Sequence, residues 1–331
     1  MKILVVIFIP AWLTWLTVHW VEPPDSTLQV SSALPVCAAM AIAQFLTYRT
    51  DGMLVGRRWT AADLCRLAIW NTVSFALPLC ATAIGIDALV HKHLYGVALI
   101  FCAGVTAFIG TVKLRTAEGI NPRQVKSGEL YKRAMTLSKQ VGVRLDRVSV
   151  VPFGRGRITN AFGGWRGIAV TDDYGHWLRG SQLDFVIGHE LSHLSNKHGL
   201  KKLAVVVVSV GLLIPAAWVS NSDSPVTRMC LLWLAVLLPL LTFYFVSRRF
   251  EYGADREGVE AVGQAEVAID ALLSLYRHTG APTSSGLLEE FFSTHPSLDR
   301  RLRSIASASK LPDERLRRAE QELQAIVHEL S

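Results

Sequence analysis

The sequence predicts an integral membrane α-helical protein of about six spans that also carries an α+β domain. Three observations lead there. Half of the 331 residues are hydrophobic, and the mean hydropathy of +0.31 is high for a soluble protein. The apolar residues gather in long runs instead of recurring at core periodicity. Two polar stretches, 114–202 and 247–331, hold amphipathic helices and short strands.

The apolar segments are read at 3–20, 28–48, 67–86, 94–112, 203–219 and 229–246. At about 1.5 Å rise per residue, roughly 17–25 residues cross the hydrocarbon layer, and each segment is near that length. Pro35 and Gln44 interrupt the second and Pro215 the fifth, so one or both could tilt or re-enter. The first is expected to remain as an anchor, because residues 19–23 offer no small-residue cleavage site after it. The chain then divides into an N-terminal membrane region of about four spans at 1–113 and the first part of the polar domain at 114–202. A membrane hairpin of two spans follows at 203–246, and the second part of the domain at 247–331.

Lys and Arg number 34 against 27 Asp and Glu, a net charge of +7. The surplus lies at the ends of the apolar runs and forms no stripe interleaved with aromatics, so nucleic acid is not an expected partner. It orients the chain instead. Glu22 and Asp25 follow the first segment and are expected outside. Arg49, Arg57, Arg58 and Arg66 follow the second and are expected inside, as are Lys113 and Arg115, Lys197 to Lys202, and Arg248 and Arg249. The expected location is the cell membrane, with the polar domain on its cytoplasmic side. Five cysteines without a CxxC pair argue for packing roles and against a thiolate metal site.

In the first polar stretch Leu130, Ala134, Leu137 and Val141 share one helix face that Gly142 closes. Residues 147–151 and 167–171 read as strands. The glycines between them have no strand-GxGxxG-helix context and read as turns. A helix follows from Ser181, with Ser181 as N-cap and Asp184 completing a capping box. In the second stretch 251–262 and 267–276 read as helices. The tail, with Leu316, Leu323 and Leu330 seven apart and Ala319 and Ile326 between, reads as a docking helix.

His189, Glu190, Leu191, Ser192 and His193 form an HExxH motif on the helix from Ser181. Residues four apart share a face, so both imidazoles reach one zinc ion while Glu190 addresses its water. Zinc held by two His and a carboxylate keeps a position for water, lowers its pKa towards about 7 and polarises a scissile carbonyl. Glu190 would take the proton and pass it to the leaving amine. Glu251 and Asp255, again four apart, can complete the zinc site and hold the far nitrogen of a ligand His. Taken alone, they read more readily as a solvated, ion-paired helix face. His198 reads as a solvated residue at the helix end before Gly199.

HExxH followed by an apolar hairpin and then Ser247-Arg248-Arg249-Phe250-Glu251-Tyr252-Gly253-Ala254-Asp255 resembles the SRxxEYxAD signature of the HtpX-type heat-shock membrane proteases and the related CAAX prenyl endopeptidases. Asn160-Ala161-Phe162, with Ile168 to Thr171 after it, resembles the NAF segment and the strand beside the substrate cleft. Thr294-His295-Pro296 with Arg301 resembles the HPxxxxR motif. The resemblance, over about 125–305, implies a gluzincin-type metalloprotease domain with one Zn2+ per chain. It implies Glu251 as the third ligand, and His295 and Arg301 as cleft residues that stabilise the oxyanion. It departs from HtpX-type members in having four N-terminal spans where two are usual.

The expected activity is therefore zinc-dependent endopeptidase cleavage of membrane or membrane-proximal polypeptides, as in quality control, with the lipid bilayer as the other partner. Under that endopeptidase reading 167–171 is a sheet edge, with which an extended peptide pairs through Ile168, Ala169 and Val170. Two further readings are a CAAX-type prenyl protease, for which the chain is short, and a non-catalytic zinc-binding membrane scaffold. Glu190 argues against the scaffold, because a structural site needs no base. The natural substrate and oligomeric state are not readable from the residues.

Overall fold

The computed structural model describes residues 59–117, 122–151, 161–164, 166–172, 174–178, 180–219, 225–279 and 293–330, with 37–38, 41–42, 44–46 and 48–50. The expected first span, most of the second and Asn160 lie outside the described residues. Contacts gather the chain into two compact units. One contains the described residues up to 117 and Val208–Leu238, and the other those of 122–151, 161–207 and Pro239–Ser331.

In the first unit, α1 (Ala61–Ser74), α2 (Ala76–Val90) and α3 (Tyr95–Ala117) pack on one another. Thr60 starts α1 with a capping box: its Oγ1 accepts from Asp63 N–H, and Asp63 accepts in turn from Thr60 N–H. Glycine lets these helices approach closely. A Cβ on Gly85 would fall 2.8 Å from Gly96 O, and one on Gly110 2.7 Å from Ser74 N. The expected segment 67–86 is thus two helices, divided at Phe75. By length and composition, the stretch Ala61–Thr82, which runs through the turn at Phe75, and Tyr95–Leu114 are long and apolar enough to cross a membrane. Phe101, Val105, Phe108, Ile109 and Val112 of α3 are exposed.

The second unit is built on a four-stranded mixed sheet. Its strands are β1 (Arg123–Val125), β2 (Arg147–Val151), β3 (Ala161–Gly164) and β4 (Gly167–Thr171), in the order β1-β2-β4-β3. Between β1 and β2 lies α4 (Glu129–Gln140), whose Ala134 and Leu137 are buried as the spacing predicts, while Val141 lies beyond its end and is exposed. β4 pairs with β2 in parallel and with β3 antiparallel, so both its edges are taken. That corrects the expectation of Ile168, Ala169 and Val170 as a free edge: among the described residues the outer strand beside β4 is β3. Four residues with two glycines are too short and too weak in propensity to announce a strand.

After the short α5 (Tyr174–Trp177) comes α6 (Ser181–Ser195), which carries HExxH. Gly180, not Ser181, stands at its N-cap, and no side chain caps it. Asp184 instead accepts from Arg133 Nη1 at 2.7 Å, tying α6 to α4. Then follow α7 (His198–Val219), α8 (Pro225–Val262), α9 (Ala265–Thr279), α10 (Leu298–Ala308) and α11 (Asp313–Leu330). α8 joins the apolar segment at 229–246 and the expected helix at 251–262 into one helix of 38 residues. Ser-Arg-Arg-Phe between them contains no breaker, and Pro239 is accommodated inside. The core gathers Ile168 and Val170 of β4, Phe185, Ile187 and Leu191 of α6, Ile269 and Leu272 of α9, and Leu302 of α10. Ala319, Leu323 and Ile326 dock α11 on it.

Candidate active site

Two helices meet at glycine and bring the chemistry together. A Cβ on Gly188 of α6 would lie 2.9 Å from Ala261 Cβ and 3.3 Å from Gly258 Cα of α8. One on Gly258 would lie 3.0 Å from the Phe185 ring. This close crossing sets Glu251, two turns before Gly258 on α8, against the His face of α6.

His189 Nε2 and His193 Nε2 are 3.2 Å apart. Glu251 reaches both, with Oε2 at 3.4 Å from His189 Nε2 and Oε1 at 3.4 Å from His193 Nε2. Donors about 2.0–2.2 Å from one tetrahedral centre are separated by about 3.3–3.6 Å, so the spacings fit a single zinc ion. Glu251 Oε2 is buried with no hydrogen-bond partner, which a cation would satisfy. The three residues are the group able to hold a metal among those described. The donor set therefore fits zinc.

Burial disfavours the charged form of His189, but the hydrogen bond to Asp255 and the Glu251 carboxylate 3.4 Å away outweigh it and raise its pKa to about 10. Burial, with the neighbouring His189 charge, lowers that of His193 to about 3. Burial opposes ionisation of Glu251 as well, yet His189, 3.4 Å away, holds it below the usual carboxylate range. A divalent cation binds the state in which both imidazoles are neutral and the carboxylate is ionised.

Glu190 lies beside the pair, buried. Burial raises its pKa, and the His189 charge and a hydrogen bond from Gly163 N–H oppose the rise. Gly163 packs closely there: a Cβ would stand 3.2 Å from Glu190 Oε2 and 3.3 Å from Glu190 O. β3 therefore runs directly over the Glu190 carboxylate.

Asp255, 1% exposed, lies 2.9 Å from His189 Nδ1 through Oδ1. It also accepts from Arg301 Nε at 2.8 Å and Nη2 at 2.6 Å. Arg301, expected to line the cleft, is buried behind Asp255 with these two nitrogens on the carboxylate. The His295 side chain is 57% exposed and its Nε2 is 3.6 Å from Glu251 Oε2. Its loop is held by Arg248, which donates to Ser293 O at 3.0 Å.

His198 departs from expectation. It is buried, its ring is stacked on Phe250 at 4.1 Å and 5°, and its Nδ1 is 2.8 Å from His193 Nδ1. Burial, then the charges of Lys201 and Lys202, lower its pKa to about 4. Sequence reading also passed over Asn196, whose Nδ2 donates to both Glu257 oxygens at 2.8 and 2.9 Å and ties the end of α6 to α8.

A mixed sheet covered by a helix with paired imidazoles, faced by a second helix with a carboxylate, is the framework of a metallopeptidase. The chain belongs to peptidase family M48, whose model matches residues 124–309, more than half of its length. Among curated relatives it is similar to the protease HtpX homologue of Desulfatibacillum aliphaticivorans, 26% identical over 232 residues, 60% of this chain and 73% of that one. It is similar to that of Pyrococcus abyssi, 28% identical over 211 residues, 54% and 72% of the two chains. That of Methanocaldococcus jannaschii is 24% identical over 262 residues, 67% and 90% of the two. The resemblance to HtpX-type proteases is thereby borne out. The fold is also similar to the crystal structure of S. mikatae Ste24p, with a TM-score of 0.58 at 16% identity, covering 90% of this chain and 80% of that one.

Proposed function

We propose that the chain is a membrane-bound zinc endopeptidase that hydrolyses peptide bonds of membrane or membrane-proximal proteins, misfolded ones among them. His189, His193 and Glu251 hold one zinc ion per chain. The observation that carries this reading is the convergence of these donors, His189 and Glu251 buried and His193 half-buried, at 3.2 and 3.4 Å, beside Glu190. A zinc ion held there supplies Lewis acidity toward water and toward a peptide carbonyl.

Glu190 acts as the base: it takes a proton from the attacking water and delivers it to the leaving amine. Its raised pKa suits both halves of that task, since the same carboxyl must accept and then release a proton. The Gly163 N–H holds it in place. Asp255 accepts from His189 Nδ1–H and sets the tautomer that presents Nε2. His295, at the mouth, contacts the carbonyl oxygen as charge develops on it. Arg301 acts through Asp255.

An extended substrate pairs with the outer edge of β3 at Ala161–Gly164, which Asn160 precedes, and so crosses the site beside Glu190. Exposed apolar side chains on α3, and Leu203, Val207, Val208 and Leu212 on α7, suit contact with lipid. The polar parts at 114–202 and 247–331 belong to a cytoplasmic protease domain, with 1–113 and 203–246 in the membrane.

Metal content and casein cleavage, measured in detergent, test the reading. Glu190→Gln should keep zinc and lose hydrolysis by at least about a hundredfold. Glu251→Ala should lose zinc as well. Near-wild-type cleavage by Glu190→Gln would sink the catalytic assignment, and full zinc occupancy in Glu251→Ala the ligand assignment.

A further inference from the structure

The two paired imidazoles differ in what holds their far nitrogens. His189 Nδ1 meets a carboxylate, Asp255 Oδ1, at 2.9 Å. His193 Nδ1 meets another imidazole, His198 Nδ1, at 2.8 Å. We propose that His198 is a positioning residue, accepting the hydrogen bond from His193 Nδ1–H and so fixing the tautomer and ring plane in which His193 Nε2 is offered to the metal. The inference rests on the reading of His193 as a zinc ligand.

Hydrogen-bond arithmetic assigns the roles. Two imidazole nitrogens at 2.8 Å require one hydrogen between them. If His193 Nε2 keeps its lone pair for the metal, its proton sits on Nδ1 and His193 is the donor. His198 must then present a bare Nδ1, which makes it neutral with its own hydrogen on Nε2. The ring is seated for this. It is 6% exposed and lies flat on Phe250, centroids 4.1 Å apart and planes 5° apart. Phe250 directly precedes Glu251, so the surface that seats His198 is joined by one peptide bond to the third donor of the cluster.

The backbone explains how a residue five places on can reach back. At about 100° per residue, a continued helix would carry His198 some 140° around the axis from His193. The chain instead breaks after Ser195, and Lys197 adopts φ of +52° in the left-handed region before α7 begins at His198. A residue with a Cβ is uncommon there, and here it turns the chain so that His198 faces His193. The choice of acceptor has an electrostatic consequence. Glu251, Asp255 and Glu190 already crowd the site with carboxylates, balanced in part by Arg301. A neutral acceptor orients His193 without adding a further negative charge near the metal.

The experiment compares His198→Phe with His198→Gln in the full chain, purified in detergent. Phe keeps an aromatic ring to lie on Phe250 but has no acceptor, whereas Gln offers a carbonyl oxygen and no ring. Zinc affinity is read by competition with a chromophoric chelator, and thermal unfolding is followed on the metal-stripped proteins. His198→Phe should bind zinc about 10–100-fold more weakly than wild type without a matching loss of metal-free stability. His198→Gln should recover most of that affinity. Should the Phe variant not fold, His198→Leu takes its place against Gln. Wild-type affinity in the variant without an acceptor, or a Gln variant as weak as it, would overturn the inference. A wild-type chain that takes up no zinc would overturn the ligand reading instead, so the two failures are distinguishable.

Discussion

Arg301 reaches His189 only through one carboxylate, and this defines its task. With Nε and Nη2 both on Asp255, its charge balances a carboxylate that burial would otherwise disfavour. Burial opposes ionisation of Asp255, but the guanidinium and the His189 contact hold its pKa below the usual range. Arg301→Ala would leave that charge without its main partner. We expect a loss of about 3–5 kcal/mol in stability, the usual result of removing one member of a buried pair. The measurement is chemical unfolding in detergent, with zinc retention read alongside. A variant that unfolds like wild type and retains zinc, yet turns over about a hundredfold more slowly, would return Arg301 to the oxyanion role that the HPxxxxR resemblance implies. Sequence could show His189, Glu190 and His193, because i,i+4 spacing encodes a shared helix face, whereas Glu251 and Asp255 stood out only through the SRxxEYxAD resemblance. It could not show which carboxylate Arg301 meets 46 residues away. Nor could it show Gly163, whose contribution is a backbone N–H and the absence of a side chain.

The crossing of α6 and α8 is where two helices become one site. Gly188 and Gly258 lie at the contact, and Gly188 faces Ala261 Cβ at 2.9 Å from where its own Cβ would be. Gly188→Ala must push the helices apart or shift Ala261, and such overpacking costs about 1–3 kcal/mol. The same displacement moves Glu251 relative to His189, so zinc affinity should fall with stability. Because the clash is with one methyl group, Gly188→Ala combined with Ala261→Gly should recover more than half of both losses. A double-mutant cycle on unfolding midpoints and zinc affinity checks this, and simple additivity of the two single effects would refute the account. Period-based reading found the amphipathic α4, the HExxH helix and α11, since their apolar residues repeat at helical spacing. It missed β3 as the outer strand because four residues, two of them glycine, carry no alternation. It also divided α8, because composition changes from apolar to charged at Ser247 while the backbone continues as helix.

The distribution of charge over the whole chain argues for its orientation, and that argument stands apart from the site. Ala61–Thr82 and Tyr95–Leu114 are long and apolar enough to cross a membrane, and the basic residues cluster at particular ends of the apolar runs. Arg57, Arg58 and Arg66 precede or open the first of these helices, and Lys113 and Arg115 close the second. Lys197, Lys201 and Lys202 precede the apolar part of α7, and Arg248 and Arg249 follow that of α8. All lie on one side if the runs alternate in direction, and short loops rich in Lys and Arg stay in the cytoplasm. The active-site helices leave those same ends, so HExxH and Glu251 are expected inside. A reporter that works only in the cytoplasm, fused after Arg115 or after Phe250, should therefore be active, and a reporter that works only outside should be active at Ser222. Charge reversal gives a second arm: replacing Arg248 and Arg249 with Glu should weaken this orientation of the hairpin, whereas the same change at Arg317 and Arg318, far along the chain in α11, should not. An outside signal after Arg115 would invert the topology and carry the active site across the membrane, while leaving the metal chemistry of His189, His193 and Glu251 untouched.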